Sequence, residues 1–135
     1  MKTKPVLTHD EVTAMLQAAQ AEAERQGWRV SIAVVDDGGH LLGLRRLDGA
    51  PPISAAMSAE KAKSAALGRR PSKGYEDMIN GGRTAFLSAP LAGMLEGALP
   101  LVAGGEVAGA VGVSGVRPEQ DALVAAAALA AVAAA

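Results

Sequence analysis

The sequence predicts an α+β domain in which helices flank an antiparallel sheet. Two hairpins support this fold class, because the turn sequences Asp36–Gly39 and Gly104–Gly105 each lie between two short apolar segments. Strands and helices do not alternate along the chain, which argues against a parallel dinucleotide-binding sheet. A length of 135 residues fits one domain, so we expect a single unit spanning residues 1–135.

Local signals place the elements in order. Thr8 and Glu11 have the spacing of a helix capping box, and Gly27 is a natural end for the amphipathic segment that follows them. Alternating apolar residues after Trp28 indicate a strand. The predicted elements are a helix at 9–26, strands at 28–35 and 40–47, helices at 53–69 and 73–80, an irregular segment at 81–97 with room for one short strand, strands on either side of 104–105, and a helix from 118 to the C-terminus.

The last predicted helix carries no charged residue after Asp121. A helix that is apolar on all sides is normally buried, and a domain of this size has difficulty wrapping one of its own helices completely. We therefore expect this helix to form a subunit interface in a homo-oligomer of even order. The alternative is an edge helix whose small alanine side chains tolerate exposure.

Composition excludes several classes of protein. The net charge of −1 gives no electrostatic case for nucleic acid or an anionic membrane, and three aromatic residues argue against a base-stacking RNA module. The chain has no cysteine and only two histidines, so disulfides, thiolate sites and a three-histidine metal centre are ruled out. The longest apolar run, residues 122–135, is too short to span a bilayer, and the N-terminus lacks a secretory segment. We expect a cytoplasmic protein.

The strand after the Gly104–Gly105 turn predicts one side of a ligand site. Glycines weaken a strand unless something approaches its backbone closely, and this strand contains Gly112 and ends at Ser114-Gly115. We expect Gly112, Ser114 and Gly115 to contact a ligand. If the protein is an enzyme, the backbone amides at Gly112–Gly115 are candidates for stabilising an oxyanion.

Four charged residues are candidates for chemistry. The Arg46 guanidinium suits a carboxylate, and Asp48 would orient it, unless the two form only a surface ion pair at a turn. Lys61 lies among small residues, where its ammonium either reaches solvent or points into a pocket. Asp121 comes early in its helix, where a carboxylate complements the helix dipole. If the protein is an enzyme, Asp48, Lys61 and Asp121 are the predicted catalytic residues.

The two histidines, His9 and His40, are predicted at a helix start and in a hairpin. Histidines in such positions more often have a structural role. Either could still ligate iron at the surface or at an oligomer interface.

Four blocks of sequence together resemble the GlcG/HbpS family, which includes the C-terminal domain of PduO: Val34–Leu42, Arg46–Ala50, Ala59–Ala66 and Gly109–Gly115 with Asp121. The resemblance runs from about Leu7 to Ala128. It implies a profilin-like domain with a five-stranded antiparallel sheet, assembled as a dimer, tetramer or octamer around a small-ligand pocket. Glu96 stands where the family usually has a glycine before Gly97, so the edge of that pocket is expected to differ.

The resemblance leads to two hypotheses from different classes. Some relatives bind haem or corrinoid, which implies a haem- or tetrapyrrole-binding protein whose iron ligand is His9 or His40, with Tyr75 or a methionine next in line. Other relatives occur in organic-acid breakdown, which implies an enzyme acting on a small carboxylated metabolite. A structural assembly module is the third possibility.

In the enzyme hypothesis, Arg46 or Lys61 would hold the carboxylate of the metabolite. Asp48 or Asp121 would then act as general acid or base, a role that requires a pKa raised by burial.

Overall fold

The computed structural model describes residues 1–132. Within these residues there are four α-helices: α1 His9–Gln26, α2 Ile53–Gly68, α3 Lys73–Asn80 and α4 Pro118–Ala130. Four strands are present: β1 Ser31–Asp36, β2 Leu41–Arg46, β3 Ala98–Ala103 and β4 Glu106–Ser114. They form one antiparallel sheet in the order β2-β1-β4-β3. The predicted fold class, an antiparallel sheet flanked by helices, is confirmed.

The expectation of five strands is wrong for the described part of the chain, which forms four. The segment at 81–97 instead contains a 3₁₀ helix, Thr84–Ser88, and irregular backbone. Its conformation follows from packing, because the backbone at Gly93 lies against α2 so closely that a Cβ there would be 2.4 Å from the Glu60 carbonyl oxygen. A profilin-like arrangement stays an expectation.

Helix α1 begins and ends as its sequence predicts. The Thr8 hydroxyl accepts a hydrogen bond from the Glu11 amide at 3.3 Å, and the Glu11 carboxylate accepts one from the Thr8 amide at 2.9 Å. Gly27 closes the helix with φ 75°. Trp28 then donates its amide to the Ala23 carbonyl at 2.8 Å, so β1 begins at Ser31 and not at residue 28 as predicted.

The sheet is covered on both faces. Central strand β1 is buried almost throughout. Helices α1 and α4 cover one face, where the larger side chains form the main core: Met15, Ile32, Val34, Val111, Val113 and Val124. Helix α2 covers the other face, where Val35 and Ala110 meet its alanines.

Gly112 brings α2 unusually close to β4. A Cβ at this position would lie 2.2 Å from the Ser58 carbonyl oxygen and 2.6 Å from the Ala62 amide nitrogen. Both are backbone atoms of α2 that cannot move aside cheaply. The glycine in β4 therefore allows direct packing of helix on strand.

Helix α4 packs within its own subunit along one face. Val124, Ala125 and Ala128 are buried, and Leu129 packs against the same core. Leu123 remains 56% exposed. Part of the predicted interface helix, residues 133–135, lies outside the described residues, and its role between subunits stays a prediction. Within residues 1–132, no helix combines the length and hydropathy needed to cross a bilayer.

Replacing Gly112 with alanine is expected to lower the free energy of unfolding by about 1–3 kcal/mol, because the new methyl group overpacks the contact between α2 and β4. Urea denaturation measures the change. Gly74→Ala is the matched control, since its Cβ meets only the Arg70 side chain, with its Cδ at 3.3 Å, and an alanine in a helix should add about 0.5–1 kcal/mol. An equal effect of the two substitutions would contradict this account.

Self-association through the exposed side of α4 is tested by Leu123→Glu. A charge at this exposed position should shift the light-scattering mass of the purified protein towards 13.5 kDa while leaving the circular dichroism spectrum unchanged. Leu129→Glu is the comparison, because Leu129 packs on its own core and its loss should loosen the fold. A Leu123→Glu variant with the mass of the parent would remove this side of α4 from the interface.

Candidate functional site

Lys61 and Asp121 form a buried ion pair between α2 and the start of α4. The Lys61 Nζ lies 3.2 Å from the Asp121 Oδ2 and donates a second hydrogen bond to the Val113 carbonyl at 3.0 Å. The two residues are 4% and 2% exposed. Lys61 therefore points inwards, which was one of the two orientations that its sequence context allowed.

Asp121 also holds the connection between β4 and α4. Its Oδ1 accepts a hydrogen bond from the Val116 amide at 3.2 Å, while its Oδ2 contacts Lys61. The carboxylate lies in the first turn of α4, as predicted. The Asp121 side chain therefore both holds the connection between β4 and α4 and contacts Lys61.

Gly97 closes the space above this pair. Its φ is 136°, and a Cβ there would be 2.9 Å from the Lys61 Nζ and 2.7 Å from the Val113 carbonyl oxygen. Any larger residue would displace the ammonium or the strand. The glycine that follows Glu96 is therefore required by the buried charge pair.

Burial raises the pKa of Asp121 to about 6, an effect that the neighbouring Lys61 ammonium opposes but does not cancel. A carboxyl with this pKa can hold or release a proton near neutral pH. However, neither Lys61 nor Asp121 lines any of the cavities found among the described residues. In this conformation both side chains are enclosed, with Gly97 packed against the Lys61 ammonium.

The strand residues predicted to contact a ligand lie beside this pair. Gly112 is buried under α2, and Ser114, which pairs with Ser31 of β1, is half-buried, as is Gly115. The Val113 amide, between them, donates to the Gly97 carbonyl at 3.0 Å. That amide is therefore occupied and does not supply an oxyanion donor in this conformation.

Arg46 and Asp48 lie at a different place on the surface. Both are exposed, and both line a cleft of about 680 Å³ whose lining includes neither Lys61 nor Asp121. Arg46 donates to the Ala50 carbonyl at 3.1 and 3.2 Å. The structure therefore separates the predicted catalytic residues into an enclosed pair and an open cleft.

His9 and His40 are exposed and line none of the cavities found in residues 1–132. His9 lies in the first turn of α1 with its Nδ1 3.7 Å from the Asp10 carboxylate, and His40 lies in the turn before β2. In the same range, no three histidine, aspartate or glutamate side chains converge on a metal-binding position.

Sequence reasoning missed an apolar cavity of about 300 Å³ beside α3. It is lined by Glu76, Ile79, Asn80, Leu87, Leu91, Ala92, Met94 and Leu95. Most of these residues belong to the segment at 81–97, which has no regular periodicity. The sequence feature that could have indicated this cavity is the presence of four large apolar residues within nine positions, 87–95.

The raised pKa of Asp121 predicts a specific pH dependence of stability. Since the folded state holds this proton more tightly than the unfolded chain, whose pKa is near 3.9, the contribution of Asp121 is fully present below about pH 4. It is lost as the pH rises through about 6, by an amount on the order of 3 kcal/mol.

Urea denaturation at a series of pH values tests this slope. The Asp121→Asn variant keeps the shape of the side chain but cannot ionise, so the difference between parent and variant should change between pH 4 and pH 7. Asp77→Asn is the control, because Asp77 pairs with Lys73 on the surface of α3. A difference that is constant with pH would show that the Asp121 pKa is not raised.

Comparison with known proteins places the chain in a family. Residues 7–130 match the model of the family described as haem degrading protein HbpS-like. Protein GlcG from Escherichia coli K12 is 57% identical over 114 residues, which cover 84% of this chain and 85% of that protein.

Two solved structures have the same fold. A double mutant of HbpS from Streptomyces reticuli superposes with a TM-score of 0.88 at 29% identity, over 98% of this chain and 90% of the other. A PduOC–haem complex superposes with a TM-score of 0.85 at 24% identity, over 95% and 96% of the two chains. The resemblance seen in the sequence is confirmed, and the chain belongs to the HbpS-like family.

Proposed function

We propose that this protein binds haem or a related tetrapyrrole. The observation that carries the proposal is the match of nearly the whole chain, residues 7–130, to a family described by haem degradation. The haem complex of PduOC shares the fold and adds support at the level of architecture.

The cavity beside α3 offers the ring of such a ligand a more apolar lining than the cleft that contains Arg46 and Asp48 does. A tetrapyrrole needs an apolar slot and a donor for its metal. Six of the eight lining residues are apolar, and the two polar ones are Glu76 and Asn80. Leu87 and Leu95, both exposed, extend the apolar surface beyond the cavity.

Met94 is the metal donor that this cavity offers. Its side chain is largely buried and lines the cavity, and a thioether is an established axial ligand of haem iron. Tyr75, the other fallback ligand from the sequence, is buried with its hydroxyl against Gly68, where a Cβ would lie 1.4 Å from it. His9 and His40 could ligate iron only at the surface, outside the cavity.

Titration of the purified protein with hemin tests the function and the ligand together. We expect a saturable Soret shift in the parent and an affinity about tenfold lower in Met94→Leu, equivalent to about 1.4 kcal/mol. Met78→Leu is the matched control, since Met78 lies on α3 but does not line the cavity.

Two other outcomes would revise the proposal. Loss of binding in His9→Ala or His40→Ala, with Met94→Leu unaffected, would place the ring at an exposed imidazole outside the cavity. Absence of any saturable shift would reject tetrapyrrole binding and favour the assembly-module hypothesis.

One observation favours the enzyme hypothesis as a second candidate. Burial raises the pKa of Asp121 to about 6, which suits a general acid or base, and Lys61 lies beside it. The same candidate requires the buried pair to become accessible to a substrate, and Arg46 and Asp48 lie in a separate cleft.

A further inference from the structure

The cleft that contains Arg46 and Asp48 is built from the end of α1 and the ends of the two neighbouring strands. Its volume is about 680 Å³. It is lined by Gln20, Glu24, Gly27, Trp28, Arg29, Arg45, Arg46, Leu47 and Asp48. None of these residues lines the apolar cavity beside α3, so the two sites are separate.

Three guanidinium groups line this cleft without a carboxylate partner. Within residues 1–132, Arg29, Arg45 and Arg46 form no ion pair. Other arginines of the protein do so, as Arg25 does with Glu22 at 2.7 Å. The positive charge of the cleft is therefore not consumed by contacts within the chain.

Neutral groups hold two of these side chains in place, Arg46 through the Ala50 carbonyl and Arg45 through two glutamine side chains. The Arg45 Nη1 donates to the amide oxygens of Gln17 and Gln20 at 3.0 and 2.9 Å. The Gln20 amide nitrogen in turn donates to Glu24 at 2.6 Å, so this carboxylate is engaged by Gln20 and not by Arg45. The other N–H groups of the Arg45 guanidinium are therefore free to bind a ligand. Because the side chain is already held in place, binding costs little further conformational entropy.

Gly49 supports the third guanidinium. Its φ is 82°, and a Cβ there would lie 2.7 Å from the Arg29 Cδ. The bare backbone of this turn therefore lets the Arg29 side chain lie across it. Arg29 is positioned at the cleft by the same turn that presents Asp48.

Charge and shape together define the ligand class. The three arginines and the two carboxylates of Glu24 and Asp48 together give the cleft one net positive charge. A ligand with a single carboxylate would neutralise it. The half-buried indole of Trp28 adds a flat apolar surface on which a planar group can stack. We propose that this cleft binds a small planar organic monocarboxylate, held by the arginine forks with its ring against Trp28.

Trp28 is the only tryptophan of the chain, so its fluorescence reports occupancy of the cleft directly. Benzoate serves as the probe, and benzamide is its neutral counterpart of nearly equal shape and absorbance. We expect saturable quenching by benzoate that weakens at high salt, with benzamide at least about tenfold weaker because it lacks the charge.

Variants assign the binding to the cleft. Arg45→Gln should weaken benzoate at least about tenfold, since it removes charged hydrogen-bond donors. Arg117→Gln is the matched control, because Arg117 lies before α4 and pairs with Glu119 at 3.1 Å. Unchanged circular dichroism spectra establish that both variants are folded.

Four outcomes would overturn the proposal. They are no saturable quenching, equal affinity for benzoate and benzamide, an unchanged benzoate affinity in Arg45→Gln, or inorganic phosphate that displaces benzoate and binds more tightly than benzoate does. The last result would mean a site for compact anions. Hemin binding distinguishes this proposal from that of the apolar cavity, because Arg45→Gln should retain hemin binding and Met94→Leu should retain benzoate binding.

Discussion

The close contact between α2 and β4 is the constraint on which the rest of the molecule depends. Because Gly112 has no side chain, the Ser58 carbonyl of the helix can lie directly against the strand. At that distance, Lys61 reaches the Val113 carbonyl and the Asp121 carboxylate. The helix on one face of the sheet is thereby tied to the start of the helix on the other face.

The buried ion pair between Lys61 and Asp121 has an electrostatic cost. Removing both charges from water is expensive, and the raised pKa of Asp121 shows that Lys61 and the Val116 amide do not fully compensate for its burial. A pair of this kind contributes less to stability than to defining one arrangement of the elements that it joins. Gly97 completes the arrangement, since only a residue without a Cβ fits against the Lys61 ammonium.

The sequence predicted those features that depend on neighbouring residues. The capping box of α1, its glycine end and both hairpins follow from local rules, and the structure contains all of them. The inward orientation of Lys61 could not be decided, because its partner lies 60 positions away and helical spacing allows either orientation. The fifth strand expected from the family was wrong for residues 1–132, where the segment at 81–97 packs on α2 at Gly93, a contact between residues far apart in sequence.

The position of the contact between α2 and β4 also explains where ligand specificity can reside. The glycine contacts at Gly97 and Gly112 enclose the polar groups of Lys61 and Asp121. The linings of both proposed sites instead contain no residue of α2 or β4. The apolar cavity is formed mainly by the irregular segment, and the arginine cleft by the ends of strands and helix α1. Substitutions there can change the ligand without disturbing the contact between α2 and β4, so a shared fold does not by itself imply a shared ligand.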